Sequence, residues 1–180
     1  MTEHAIPSSL ELVDWFCKKA NSVNKHMNEK QIQHLLFLSQ LHFILKSGRF
    51  LYPSLFVCGN SGFYNPTIRT IMEFGLPMMK TKNFTTEIES FLELIWQKYA
   101  LLSETDLTNF VLSLDCWKKN YSSNEEVIIN PMQIVDSFAD SIHQPKAKLS
   151  SATRPKIMLS QNGPVKVSAW QPRKLSSSNK

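Results

Sequence analysis

Three groups of residues in this chain are of types that do chemistry. Gly59-Asn-Ser61-Gly62 sets a serine between glycines, which could present a nucleophile on a tight turn or cradle a phosphate. The first use needs Gly-x-Ser-x-Gly between a strand and a helix, and the second needs Lys-Ser/Thr after the glycines. Neither pattern is present, so the stretch reads as a plain loop. His34 and His42 lie eight apart, nearly on one helix face, and with Cys58 could in principle hold a metal. Metal-binding helices use an i, i+4 pair, and no carboxylate is near in sequence, so the two read as histidines at the edge of a packed face. The pairs Glu87/Glu89, Glu104/Asp106 and Glu125/Glu126 fall in first turns or loops, where carboxylates complement the helix dipole. These groups assemble no catalytic set, and the chain carries no cofactor motif. The expectation is a protein that is not an enzyme and needs no cofactor or metal.

Trp117 is of a different kind. It follows an apolar helical stretch, beside Asp115 and Lys118-Lys119, and reads either as a lid on the core or as an exposed anchor for a partner. The bulk composition favours binding over catalysis. The 180 residues suffice for one domain, or one domain and a tail, and apolar residues make up 42% of them. The longest apolar runs fall short of a membrane span, and no basic-then-apolar leader opens the chain, so a cytoplasmic protein is expected. Cys17, Cys58 and Cys116, odd in number and far apart, read as reduced thiols. Charge divides sharply: residues 1–142 hold 12 Lys/Arg and 15 Asp/Glu, while residues 143–180 hold 8 Lys/Arg and no acid. A slightly acidic body thus carries a basic tail.

The body parses into about six helices with at most a small β element, a mainly α fold. Ser8-x-x-Glu11 and Asn28-x-x-Gln31 are capping boxes. The first opens a helix over Leu10–Ala20 with Leu12, Trp15 and Phe16 on one face. The second opens a helix whose Ile32, Leu35, Leu36, Leu38, Leu41 and Leu45 wrap over half its circumference, which places it at the centre of the core. Asn65-Pro66 starts a third, stopped at Gly75. Thr86-x-x-Glu89 starts a fourth with the stripe Ile88, Phe91, Leu92, Ile95, Trp96 and Tyr99. Ser103-x-x-Asp106 starts a fifth, with Leu107, Phe110, Val111 and Leu114 inward. Asn130-Pro131 starts a sixth, with Ile134, Val135, Phe138, Ala139 and Ile142 inward. Val127-Ile-Ile129 and Phe50–Val57 are the candidate extended pieces.

The order of these parts resembles the SocA-like antitoxin family, the Panacea domain. Its helix Leu-Leu-Tyr-Tyr/Phe-Ala-Gln and following Gly-x-Pro-Leu-Phe correspond to Leu35-Leu-Phe-Leu-Ser-Gln40 and Gly48-Arg-Phe-Leu-Tyr-Pro-Ser-Leu-Phe56. Its Trp-x-Tyr-Gly-Pro-Val-Val-Pro segment survives as Gly62 and Pro66 within Gly59-Asn-Ser-Gly-Phe63-Tyr64-Asn65-Pro66. Its Thr-His pair becomes Val111-Leu112, and its Pro-Trp falls at Trp117. The likeness spans about residues 10–142. It implies a cytoplasmic, non-enzymatic protein-binding module, an antitoxin that neutralises a toxin by direct contact. The departures open an alternative, a domain redeployed as adaptor or subunit of a larger assembly, such as a secretion-system component or secreted effector. On this reading Gly62, Phe63, Tyr64, Pro66 and Trp117 form the partner surface.

From residue 143 the chain is rich in proline and serine and shows no helical period. An irregular, flexible arm is expected, because little apolar surface is available to offset its ordering entropy. Two apolar islands interrupt it, Lys156-Ile-Met-Leu159 and Val165-Lys-Val-Ser-Ala-Trp170. Ile157, Val165 and Trp170 are read as docking positions on a protein, and Lys166, Arg173 and Lys174 as charges that speed encounter. Nucleic-acid binding through the arm's eight cations is a second alternative.

Overall fold

The computed structural model describes residues 4–75, 83–132, 134, 135 and 138, and the backbone of 156–160 and 163–167. It divides into two units, Met1–His143 and Gln144–Lys180. The first is mainly α. Its elements are α1 (Ser9–Ser22), α2 (Glu29–Ser47), β1 (Phe56–Gly59), β2 (Gly62–Tyr64), α3 (Pro66–Phe74), α4 (Thr86–Ile95), α5 (Glu104–Ser113), α6 (Asp115–Asn120) and β3 (Val127–Ile129). Helical backbone resumes at Pro131 and includes Ile134 and Phe138. No helix among the described residues is long and apolar enough to cross a membrane.

α2 is the axle of the fold. Every residue from Gln31 to Leu41 is buried, as a helix packed on all sides requires. Asn28 and Gln31 form the full capping box, with Gln31 N–H on Asn28 Oδ1 at 2.9 Å and Asn28 N–H on Gln31 Oε1 at 3.3 Å. Gly48 ends the helix at φ +67°, a left-handed conformation that glycine adopts without strain, and its N–H bonds Ile44 O at 2.7 Å. Leu45, read as inward, is 36% exposed in the last turn, where the helix emerges from its neighbours.

The other caps differ in detail. Ser8 caps α1 through Leu10 N–H at 3.2 Å, without a reciprocal bond from Glu11. α4 is capped by Thr85, one residue before the expected Thr86, with Ile88 N–H on its hydroxyl. Ser103 and Asn65 cap α5 and α3 as read. The α4 stripe is buried throughout, but its last turn, Trp96–Ala100, is π-helical. Trp96, Tyr99 and Ala100 of that turn are all buried. Trp96 stacks on Phe16 of α1 at 6.4 Å, and an ion pair joins Lys19 to Glu93 across the same contact. Ile6, ahead of the first expected helix, is also buried, its N–H on Leu51 O at 2.7 Å.

The sheet is antiparallel, in order β2-β1-β3. The extended piece begins at Phe56, later than Phe50; the backbone of Leu51 and Tyr52 is bonded by the Gln40 side chain of α2 and not by a strand. Gly59 and Gly62 face each other in register, so Asn60-Ser61 is a two-residue hairpin turn and not a plain loop. In the second unit the strands β4 (Lys156–Ser160) and β5 (Gly163–Val167) pair antiparallel, with Ile157 opposite Lys166 and Met158 opposite Val165. This corrects the reading of the arm as irregular over those ten residues. The first apolar island and Val165–Val167 of the second fall on these paired strands. Ala139, Ile142, Trp170, Arg173 and Lys174 lie outside the described residues.

Candidate functional site

The partner surface expected from sequence lies where the β1–β2 hairpin meets α2, α5 and α6. Two glutamines of α2 fix the chain leading in and out of it. Gln40 accepts from Leu51 N–H at 3.1 Å and Tyr52 N–H at 3.3 Å, and donates to Tyr52 O at 3.2 Å. Gln33 does the same for Asn65, accepting its N–H at 2.8 Å and donating to its carbonyl at 3.2 Å. Both side chains are buried, so each bond is formed away from competing water.

His34 lies between these clamps. Its Nε2 is 3.2 Å from Thr108 Oγ1 on α5, while Nδ1 is buried without a hydrogen-bond partner. The ring abuts Gly62, where an added Cβ would come within 2.6 Å of His34 Cε1. Gly62 is therefore required twice, by that approach and by its φ of +115°. Burial lowers the His34 pKa to about 4, and neighbouring Lys30 adds to the shift. His42 sits elsewhere, its Nε2 2.7 Å from Tyr99 Oη, and its pKa also falls to about 4, chiefly through burial. The two histidines thus serve separate contacts. Among the described residues no three His, Cys, Asp or Glu side chains are placed to hold a metal.

Phe63 is corrected from partner residue to core. It is fully buried and stacks on Phe37 of α2 at 3.9 Å, because alternation along β2 turns it inward and Tyr64 outward. Gly62 is buried as well, so it shapes the hairpin without meeting a partner. Tyr64 and Pro66 remain partly exposed. Arg69 of α3 lies over the Tyr64 ring at 5.2 Å. Burial and a hydrogen bond to Glu126 raise the Tyr64 pKa.

Trp117 takes both of its expected roles in part. It is half-buried, its indole N–H donating to Gly59 O at 3.1 Å, and it stacks on Tyr121 at 4.5 Å. Tyr121 in turn donates to Asn60 Oδ1 at 3.1 Å. The short helix α6, absent from the sequence reading, thereby clips two aromatic rings to the hairpin turn. Beside them opens a cleft of about 400 Å³, whose walls include Asn60, Ser61, Tyr64, Arg69, Glu125 and Glu126. Cys58 at its floor has a pKa pushed up to about 11 by burial, and buried Cys116 behind it one of about 12, so both stay protonated thiols. All three cysteines are free.

Sequence reasoning missed Tyr121, Arg69 and Asn60. Tyr121 had a signal, standing four residues after Trp117 and so on the same helical face. Arg69 depends on how α3 leaves the hairpin, which no local pattern gives. Of Ile157, Val165 and Lys166, only their place on paired strands is described. Comparison with protein-family profiles, with curated proteins and with solved structures finds no match to the chain.

Proposed function

We propose that this protein is a non-enzymatic, cytoplasmic protein-binding module whose partner surface is the hairpin turn with Tyr64, Arg69, Trp117 and Tyr121. One observation carries the reading: two stacked aromatic rings are tied by hydrogen bonds to a two-residue turn, at the rim of a polar cleft. Rigid aromatics lose little entropy on contact and dominate interface energies. The resemblance to SocA-like antitoxins makes the partner a toxin neutralised by direct contact. Replacement of that family's Gly-Pro and Thr-His signatures favours the alternative partner, a subunit of a larger assembly.

The test is affinity capture from the native cell with the full chain and its Tyr64→Ala and Trp117→Ala variants, followed by titration of the captured protein. Tyr64→Ala should weaken binding at least tenfold at an unchanged melting temperature, a loss of about 1.4 kcal/mol. Undiminished binding by both variants refutes this surface. Retardation of nucleic acid by the full chain but not by residues 1–142, steeply dependent on salt, would move the function to the arm with its eight cations.

A further inference from the structure

The sheet ends, among the described residues, at β3. An edge strand offers N–H and C=O groups with no strand beside them. Ile128, in the middle of β3, is in register with Val57 and so shares the outer face with it and with Tyr64. Ile128 is 67% exposed, whereas Val57 is 5% exposed. Beside the C-terminal end of β3 lies a notch of about 270 Å³, lined by Phe50, Ser54, Leu55, Ile128, Ile129 and Asn130 together with His4. Leu55 is 48% exposed, and Met132, two residues beyond the notch, is 45% exposed. One polar atom in this lining is unsatisfied: Ser54 Oγ is buried and has no hydrogen-bond partner. At the other end, Glu125 and Glu126 lead into β3, both exposed.

We propose that the β3 edge binds an extended peptide segment of a partner protein, apolar toward its N-terminus and basic toward its C-terminus, running antiparallel to β3. Three observations select this occupant. A helix spends its backbone groups on itself, and an apolar small molecule has none, so either would leave the sheet edge and the Ser54 hydroxyl unpaired. An extended main chain supplies donors and acceptors at each residue and can meet both. The antiparallel direction continues the rest of the sheet, sets the peptide's first side chains over the notch and brings its last beside Glu125 and Glu126. A second copy of the chain fits less well, since β3 paired with β3 about Ile128 sets Glu126 against Asn130 and offers no cation. The edge rests on the same protein-binding reading as the hairpin surface and shares Glu125 and Glu126 with its cleft. The notch with Ser54 is separate from that cleft, so Ser54→Ala and Trp117→Ala tell the two apart.

The test is fluorescence anisotropy of the full chain with labelled nonapeptides. Each alternates threonine with one of valine, isoleucine, leucine, phenylalanine or tyrosine and ends in two lysines or two glutamates. Lysine-ended peptides should bind about tenfold more tightly than glutamate-ended ones and than the same residues in reversed order. N-methylation of the amides in one alternating register should abolish binding, while methylation in the other register leaves it intact. Ser54→Ala should weaken binding about fivefold, the worth of one hydrogen bond, while leaving the free protein's melting temperature unchanged or raised. Binding should persist in Trp117→Ala, whose bonds go to the hairpin turn and Tyr121. Absence of any binder in the set, indifference to the N-methyl register, or equal affinity for both charge types overturns the proposal. So does a dimer in light scattering that Ile128→Lys converts to monomer, since a second copy would then occupy the edge.

Discussion

Lowering the pH from 6.5 toward 4 should destabilise this protein, with His34 and His42 as the cause and His34 the first to test. Its ordinary pKa is 6.5 and its folded value about 4, a depression caused first by burial and then by Lys30. Between those values the unfolded chain takes up a proton that the folded chain refuses. Stability is therefore full above pH 6.5, falls as the pH drops, and levels off near pH 4, where the folded histidine also protonates. At about 1.4 kcal/mol per pH unit, the gap amounts to about 3 kcal/mol. Small domains have about 5–15 kcal/mol in all, so one side chain accounts for a large share. His42, packed against Tyr99, has the same folded value of about 4, set first by burial and then by Lys98, and adds a loss of the same sign and similar size. The assay is urea unfolding followed by circular dichroism at pH 7.5, 6.5, 5.5 and 4.5, on the natural chain and on His34→Gln. Glutamine is neutral at every pH and keeps an N–H for Thr108, so the variant should lose about 2–3 kcal/mol less than the natural chain across this range. Glu104, whose pKa is lowered first by bonds to Lys30 and Asn28, loses its contribution only at lower pH and does not confuse the window. Parallel losses in the two proteins would refute the assignment to His34.

Two further outcomes test the packing. Gly62→Ala should lower stability by about 2–4 kcal/mol, since it combines a strained φ of +115° with a Cβ 2.6 Å from His34 Cε1; a denaturant midpoint within error of the natural chain's would mean that the hairpin shifts freely. Ile95→Ala and Leu107→Ala, at residues 3% and 0% exposed, should each cost about 2–5 kcal/mol, and unchanged urea midpoints would show that the inward faces of α4 and α5 are misassigned.

The helices were legible because their signals are local. Asn28 with Gln31, Asn65 with Pro66 and Gly48 state their roles within a few residues, and the α4 stripe repeats at helical spacing over three turns. What failed to show were features decided by long-range packing. Phe63 and Tyr64 are adjacent aromatics, and only the direction of β2 against α2 decides which is buried. Gly59-Asn-Ser61-Gly62 carried a hairpin signal, a two-residue turn between extended segments, masked by its likeness to catalytic glycine-serine motifs. The paired strands β4 and β5 hid in a segment whose proline and serine content argues against regular structure. The π turn at Trp96–Ala100 has no sequence mark, since α and π turns place Tyr99 on nearly the same side.

The two glutamine clamps of α2 also bear on how this chain tolerates change over evolutionary time. Gln33 and Gln40 stand seven residues apart on one rigid helix, about 10 Å along its axis. Each holds the backbone of a distant segment, Gln40 at Leu51-Tyr52 and Gln33 at Asn65, so the twelve residues between Tyr52 and Asn65 are pinned at both ends. The fixed span does not depend on how many residues fill it, and the entropy of closing such a loop grows only slowly with length. Insertions in the turn and substitution of Ser61 can therefore be sampled without moving the anchors. Backbone-directed clamps of this kind separate the heritable framework from the variable tip, much as immunoglobulin frameworks do for their loops. A lineage could lengthen the turn or replace Ser61 and still inherit the same frame, with an acceptor at position 60 kept for Tyr121.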